Sequence, residues 1–180
     1  MKSMIVLLGA ALTAGTAVYT QDMPEMPKPR KEHEWLQQLV GEWTSEAEAT
    51  MDPSKPPMKL KGTESSRMIG GFWAMCELKG EMMGTPYTGI LTLGYDEEKK
   101  KYVGTWIDSM TGYLWTYTGS LDAGSKMLSL DTEGPGHDGK LCRFRETIEV
   151  KDKDHKIFTS SIDKDGKWFT HLTAKYERKK

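Results

Sequence analysis

Short runs that alternate apolar and polar residues, each followed by a turn, recur along residues 39–176. Turn-forming Asp and Gly residues separate the runs, as at 96–99, 122–125 and 163–166. Strands spaced by about 8–12 residues with such turns indicate an antiparallel sandwich or barrel. A long meander leaves two edge strands unpaired, and closure into a barrel removes both edges. The pattern therefore predicts an all-β fold, a single antiparallel up-and-down barrel of about ten strands.

A short N-terminal helix is predicted before the strands, over residues 32–40, where Trp35 and Leu39 share one face and Gly41 ends the pattern. A helix this short is unstable alone, so we expect its apolar face to dock on one end of the barrel. The predicted strands span residues 42–50, 58–68, 72–82, 87–95, 102–110, 113–121, 127–132, 141–150, 156–162 and 167–178.

The first 17 residues have the features of a secretory signal peptide. Lys2 supplies the positive charge, residues 4–14 are largely apolar, and residues 15–17 are small. The apolar stretch is shorter than the roughly 20 residues that a membrane-spanning helix needs. We therefore expect a signal peptide over 1–17, a Pro-rich linker over 18–30 and a barrel domain over 31–180. The mature protein is expected to be secreted or periplasmic, with no membrane span.

Charge and motif content exclude several classes of function. The 25 basic and 26 acidic residues nearly cancel, which argues against nucleic acid as a partner. The chain has no phosphate-binding Gly-rich loop, no paired cysteines at zinc spacing and no nucleophile elbow. Cys76 and Cys142 fall in the third and eighth predicted strands, so we expect two buried thiols, with a Cys76–Cys142 disulfide as the alternative. We expect no metal site; the weak candidate is a loop cluster of Asp131, Glu133, His137 and Asp138.

Aromatic side chains interleaved with glycine mark two neighbouring strands. Tyr102 and Trp106 share one face of the fifth predicted strand, and Trp115 and Tyr117 share one face of the sixth. One interpretation is a ligand cavity, because a barrel of about eight or more strands can hold one small ligand. The other is a packed core in which glycines make room for the rings. The pattern fits both.

His33 and His171 lie outside that loop cluster, in the predicted helix and in the last predicted strand. His33 is predicted on the polar side of the helix, in contact with solvent. His171 alternates with Phe169 and Thr173 on the last predicted strand, whereas Leu172 and Ala174 take the opposite face. Alternation alone does not decide whether His171 points into the barrel.

Several segments resemble known families. Gly41-Glu42-Trp43 resembles the Gly-x-Trp opening of calycin-like barrels, a group that includes lipocalins. Together with residues 33–36, 62–65, 70–73, 93–96 and 119–122, it resembles the bacterial domain of unknown function 1579 over residues 27–178. The resemblance implies a calycin-like barrel, often exported, without an established activity. Residues 171–176 are similar to the closing strand of nitrobindins, and this likeness implies a haem whose axial ligand is His171.

The sequence favours a non-enzymatic, exported barrel that binds a small apolar molecule, with Tyr102, Trp106, Trp115 and Tyr117 as candidate walls and no cofactor. The first alternative is a nitrobindin-like haem protein that uses His171. Further alternatives are a structural envelope protein, or an enzyme whose carboxylates are among Glu64, Glu77 and Asp108.

Overall fold

The computed structural model describes residues 26–50, 54–136 and 139–180. The predicted signal peptide and most of the predicted linker lie outside these residues. Ten antiparallel strands form a closed barrel in which each strand pairs with its neighbours in the chain and β1 pairs with β10. The predicted fold is confirmed. The strands are β1 (Gly41–Ala49), β2 (Met58–Ile69), β3 (Trp73–Met82), β4 (Thr85–Asp96), β5 (Lys101–Asp108), β6 (Trp115–Leu121), β7 (Met127–Pro135), β8 (Leu141–Val150), β9 (His155–Lys164) and β10 (Lys167–Arg178).

The two ends of the barrel differ. At one end, here called the plugged end, helix α1 (Lys31–Leu36) and the single 3₁₀ turn that follows it (Gln37–Leu39) lie beside the connections after the even-numbered strands. The other, here called the open end, carries the connections after the odd-numbered strands, including the longer loop at 109–114.

Hydrogen bonds from aromatic side chains hold the helix on the barrel. The Trp35 indole N–H donates to the Ser125 carbonyl at 2.9 Å, and the Tyr102 hydroxyl donates to the Glu32 carbonyl at 2.9 Å. Trp35, Leu36 and Leu39 are buried with the core residues of the strands. The prediction that the helix docks on one end of the barrel is confirmed, and the main apolar core occupies that half of the lumen.

His33 does not contact solvent as predicted: it is 3% exposed. Its Nδ1 accepts a hydrogen bond from the Arg30 backbone N–H at 3.0 Å, and its ring makes edge contacts with Phe72 and Tyr95. A helix of about two turns that sits on a barrel end contacts protein over more than its apolar stripe. The Arg30 N–H satisfies the acceptor nitrogen of the ring locally, so burial of the ring costs little.

Several strand boundaries differ from the predicted ones by one to three residues, and two of these differences have a clear local cause. β5 ends at Asp108 because its Oδ1 accepts the backbone N–H groups of Met110 at 2.7 Å and Thr111 at 3.0 Å, which turns the chain. β7 continues through Pro135, which pairs with Leu141, whereas the predicted strand ends at residue 132. A proline is tolerated there because it terminates the strand.

Cys76 and Cys142 are both free thiols, as predicted. Cys76 is buried on β3 as expected, whereas Cys142 is partly exposed on β8 rather than buried, and four strands lie between the two in either direction around the sheet.

Candidate functional site

A cavity of about 440 Å³ occupies the lumen between the plug and the open end. All ten strands contribute to its lining, which runs from Leu39 of the plug to Thr50, Thr111 and Gly136 at the open end. Ligand sites in proteins commonly measure about 300–1,000 Å³. The lumen therefore has room for one small molecule.

Three of the four predicted wall residues line this cavity: Trp106, Trp115 and Tyr117. Tyr102 does not line it. Its ring lies deeper, in edge contact with Trp35 and Tyr95 in the core of the plugged end. Its position follows from the barrel, because successive inward residues of one strand lie at successive depths.

Glycines on adjacent strands accommodate the two indoles. A Cβ at Gly89 would lie 2.1 Å from the Trp106 ring, and a Cβ at Gly134 would lie 2.2 Å from the Trp115 ring. Each indole thus occupies space along the wall that a side chain would otherwise fill. Both interpretations of the aromatic pattern, a packed core and a ligand-sized cavity, are therefore partly correct. Glycines make room for the rings, and a cavity remains beside them.

His171 faces the lumen because of a β-bulge. Thr170 pairs with Ser161 and Leu172 with Ser160, so His171 is the extra residue of β10. A bulge shifts the alternation by one residue. Inward residues on both sides of it, Phe169 before and Leu172 after, line the cavity together with His171.

His171 belongs to a polar group that we call the acid–serine–histidine cluster, consisting of Glu146, Ser160 and His171. The Ser160 hydroxyl donates to Glu146 Oε1 at 2.9 Å and lies 2.8 Å from His171 Nε2. The Phe144 ring makes an edge contact with the imidazole. β8, β9 and β10 are consecutive in the sheet, which brings the three side chains to one patch of the wall.

Burial raises the pKa of Glu146 to about 8, with only the Ser160 hydrogen bond acting in the opposite direction. At neutral pH the side chain is therefore mainly an uncharged carboxylic acid. Its Oε2 is buried and has no hydrogen-bond partner within the described part of the chain. The sequence analysis did not single out Glu146; the available signal was an acidic residue on the face of β8 that carries Phe144 and Ile148.

A second polar group in the lining is a buried ion pair. Lys156 Nζ lies 2.5 Å from Glu64 Oε1, and both side chains are 5% exposed. The Ser66 hydroxyl also donates to Glu64, and the Trp43 and Tyr176 rings lie 4.5 and 4.8 Å from the ammonium. Such surroundings compensate both charges.

Cys76 lies near this pair, and burial together with the Glu64 charge raises the pKa of its thiol to about 12. The thiol is therefore protonated at neutral pH and a poor nucleophile.

The carboxylates of the enzyme alternative have structural partners. Glu64 is ion-paired, and Asp108 caps its turn while its Oδ2 accepts the Trp106 indole N–H at 2.9 Å. Glu77 is absent from the cavity lining and pairs with Lys79 at 2.9 Å. The structure brings Glu64 and Asp108 to the lumen but not Glu77.

The weak candidate metal cluster includes His137 and Asp138, which lie outside the described residues. Asp131 and Glu133 are exposed on β7, and Asp131 pairs with Arg145 at 2.8 Å. Among residues 26–50, 54–136 and 139–180, no group of three or more His, Cys, Asp or Glu side chains could hold a metal ion. Within the same ranges, no helix has the length and apolar character to cross a membrane.

Comparison with known proteins supports the fold. The family described as Protein of unknown function (DUF1579) matches residues 28–178, which confirms the resemblance. Among solved structures, Rv2717c from M. tuberculosis is 13% identical with a TM-score of 0.61, covering 85% of this chain and 100% of that one. The S-type phycobiliprotein lyase CPES from Guillardia theta is 16% identical with a TM-score of 0.54, covering 84% and 99%.

The barrel EF1p2_mFAP2b, solved bound to DFHBI, is 12% identical with a TM-score of 0.45 and covers 83% and 100%. No curated protein matches the sequence. The chain thus shares its barrel fold with Rv2717c and with CPES.

Proposed function

Because this chain belongs to the DUF1579 family of proteins of unknown function, we propose its function from its own lumen: it binds one small, largely apolar molecule there. The observation that carries the proposal is the cavity of about 440 Å³, plugged at one end by α1 and lined by Trp106, Trp115 and Tyr117. A well-formed apolar pocket with few polar groups is the usual form of a small-molecule site.

Apolar residues at the open end also support this proposal. Met83, Met110, Leu114 and Leu141 are exposed there, on the connections or strand ends around the cavity mouth. Exposed large apolar side chains that cluster in one place commonly mark a binding region. An apolar molecule entering the lumen would pass them.

A variant that fills the lumen tests the proposal. Ala47 lines the cavity on β1, and the next residue, Glu48, is exposed on the outer face. We expect Ala47→Trp to occupy ligand space and abolish binding, whereas Glu48→Trp adds the same side chain outside the barrel and leaves binding intact.

The measurement is thermal unfolding with fatty acids, isoprenoid alcohols and other apolar compounds. A ligand present at 100 times its Kd stabilises the folded state by about 2.7 kcal/mol. Stabilisation of the wild type and Glu48→Trp but not of Ala47→Trp is the expected result. The proposal is wrong if no apolar compound stabilises the wild type, or if Ala47→Trp responds equally.

The haem alternative gains one supporting observation, since His171 lies in the lumen. Its Nε2, however, is engaged by Ser160 at 2.8 Å, and an axial ligand needs its coordinating nitrogen free. This arrangement fits a hydrogen-bonding role for His171 better than iron ligation. Haem titration tests the point: a Soret band that His171→Ala removes would support the haem alternative.

Export is also proposed, on the charge and apolar pattern of residues 1–17. Expression of the full chain should give a mature product that begins after about residue 17 in the exported fraction. N-terminal sequencing of that product checks it, and an unprocessed chain in the cytoplasm contradicts it.

A further inference from the structure

We infer that the lumen ligand is an uncharged molecule with a hydrogen-bond acceptor, such as a ketone, ester or amide carbonyl, and that Glu146 donates a hydrogen bond to it. This inference rests on the proposed function, because it names the chemical class of ligand for the same cavity. Three features of the lining lead to it: the compensated charges, the direction of the hydrogen bonds in the acid–serine–histidine cluster, and the unpartnered oxygen.

The charges in the lining disfavour an anionic ligand. Lys156 is the buried lysine among the described residues, and Glu64 already neutralises it at 2.5 Å. An anion at Lys156 would compete with this carboxylate and leave a buried negative charge without a partner. Such an uncompensated buried charge is strongly destabilising.

The direction of the hydrogen bonds follows from the single hydrogen of a serine hydroxyl. With Ser160 as the donor to Glu146 Oε1, the contact of 2.8 Å with His171 is one in which Nε2–H donates to the Ser160 oxygen. Oε1 then acts as the acceptor oxygen of the carboxylic acid. The acid proton belongs to Oε2.

Oε2 is therefore a buried donor at the cavity wall without a partner in the described residues. A buried polar group left unsatisfied carries an energetic cost. A ligand carbonyl would remove this cost, whereas an alkyl group in the same place would leave it and a carboxylate would place its charge in an apolar site.

Prodan, a naphthalene dye with one ketone, gives a direct measurement. Its emission moves to longer wavelength when its carbonyl accepts a hydrogen bond. Bound to the wild type, the dye should emit at longer wavelength than when bound to Glu146→Leu, which has a similar volume but no donor. Glu146→Gln retains an N–H donor and should keep most of the shift. Tyr87→Phe, which removes a hydroxyl elsewhere in the lining, should leave the emission unchanged.

Displacement of the dye by three matched naphthalenes tests the ligand class. In the wild type, 2-acetylnaphthalene should bind about fivefold more tightly than 2-ethylnaphthalene, as expected for one hydrogen bond worth about 1 kcal/mol. The anion 2-naphthoate should bind most weakly. In Glu146→Leu the preference for the acetyl compound should disappear.

The outcomes separate this inference from the proposed function. Equal binding of the acetyl and ethyl compounds, or an emission shift that survives Glu146→Leu, overturns the inference while leaving a binding lumen. Tighter binding of 2-naphthoate than of the acetyl compound overturns it as well. If prodan and all three naphthalenes fail to bind, and Ala47→Trp behaves as the wild type, the proposed function and the inference are both wrong.

Discussion

Glu146 and Glu149 lie three residues apart on β8 and occupy opposite environments. Glu149 pairs on the surface with Lys151 at 2.8 Å, whereas Glu146 points into the lumen, where the Ser160 hydroxyl donates a hydrogen bond to it. Burial of a carboxylate without a cation favours its protonated form. The same residue type is thus a surface charge at one position and a neutral hydrogen-bonding group at the other.

The stability of the protein should depend on pH through Glu146. Its pKa is raised from 4.5 to about 8 in the folded state, so the stabilisation is complete below pH 4.5 and is lost as pH rises towards 8. Over this range we expect the free energy of unfolding of the wild type to fall relative to that of Glu146→Gln, by up to about 1.4 kcal/mol per pH unit. Urea unfolding of both proteins from pH 4.5 to 8.5 measures the difference. A difference independent of pH would contradict a buried acid at this position.

Sequence alternation was sufficient to find Trp106, Trp115 and Tyr117 as inward residues, because the side-chain period of a strand is two. It could not give their depth. Tyr102 shares a face with Trp106 but lies in the core of the plugged end, since depth depends on strand tilt and on where the helix sits. Glu146 carries the same alternation signal between Phe144 and Ile148, but an acidic residue on a strand does not by itself indicate a buried position.

At the scale of elements, one inserted residue decides the surroundings of His171. The register change between Thr170 and Leu172 turns both His171 and Leu172 towards the cavity. No residue type in this segment signals a bulge, because the bulge arises from how β10 pairs with β9. Alternation therefore left the face of His171 undecided, and the pairing decided it.

The helix was predictable because its apolar face is too large for a two-turn segment to leave in water. We expect Trp35→Ala to lower the free energy of unfolding by about 3–5 kcal/mol, since it removes a large buried ring and the hydrogen bond to Ser125. Glu34→Ala, at an exposed position of the same helix, serves as the control and should change it by less than about 0.5 kcal/mol. Urea unfolding measures both, and a small effect of Trp35→Ala would show that the plug contributes little to the fold.

For the whole molecule, closure of the barrel creates contacts that no local pattern contains. Glu64 and Lys156 lie 92 residues apart and on strands that are not neighbours in the sheet, with β1 and β10 between β2 and β9. They meet because the closed sheet turns both side chains into one lumen. The local sequence around Glu64 or Lys156 does not show whether the side chain belongs to a buried ion pair or is an ordinary surface charge.

Removal of one member of this pair should be costly. We expect Lys156→Met to lower the free energy of unfolding by about 3–5 kcal/mol, because it leaves the Glu64 charge buried without its cation. The double variant Glu64→Leu/Lys156→Met removes both charges and should recover much of the loss. A double-mutant cycle by urea unfolding gives the coupling energy, and additive effects would argue against a buried ion pair.

The sequence by itself determined the barrel, the number of its strands, the docking of the N-terminal helix and three residues that line the cavity. These follow from short-range periodicity and turn chemistry, which act within a few residues. The tertiary structure decided that the lumen is open, that His171 faces it, and that Glu146, Ser160 and His171 meet there. The physical reason is that cavity volume, depth and strand register depend on how all ten strands pair, and local sequence patterns do not encode this pairing.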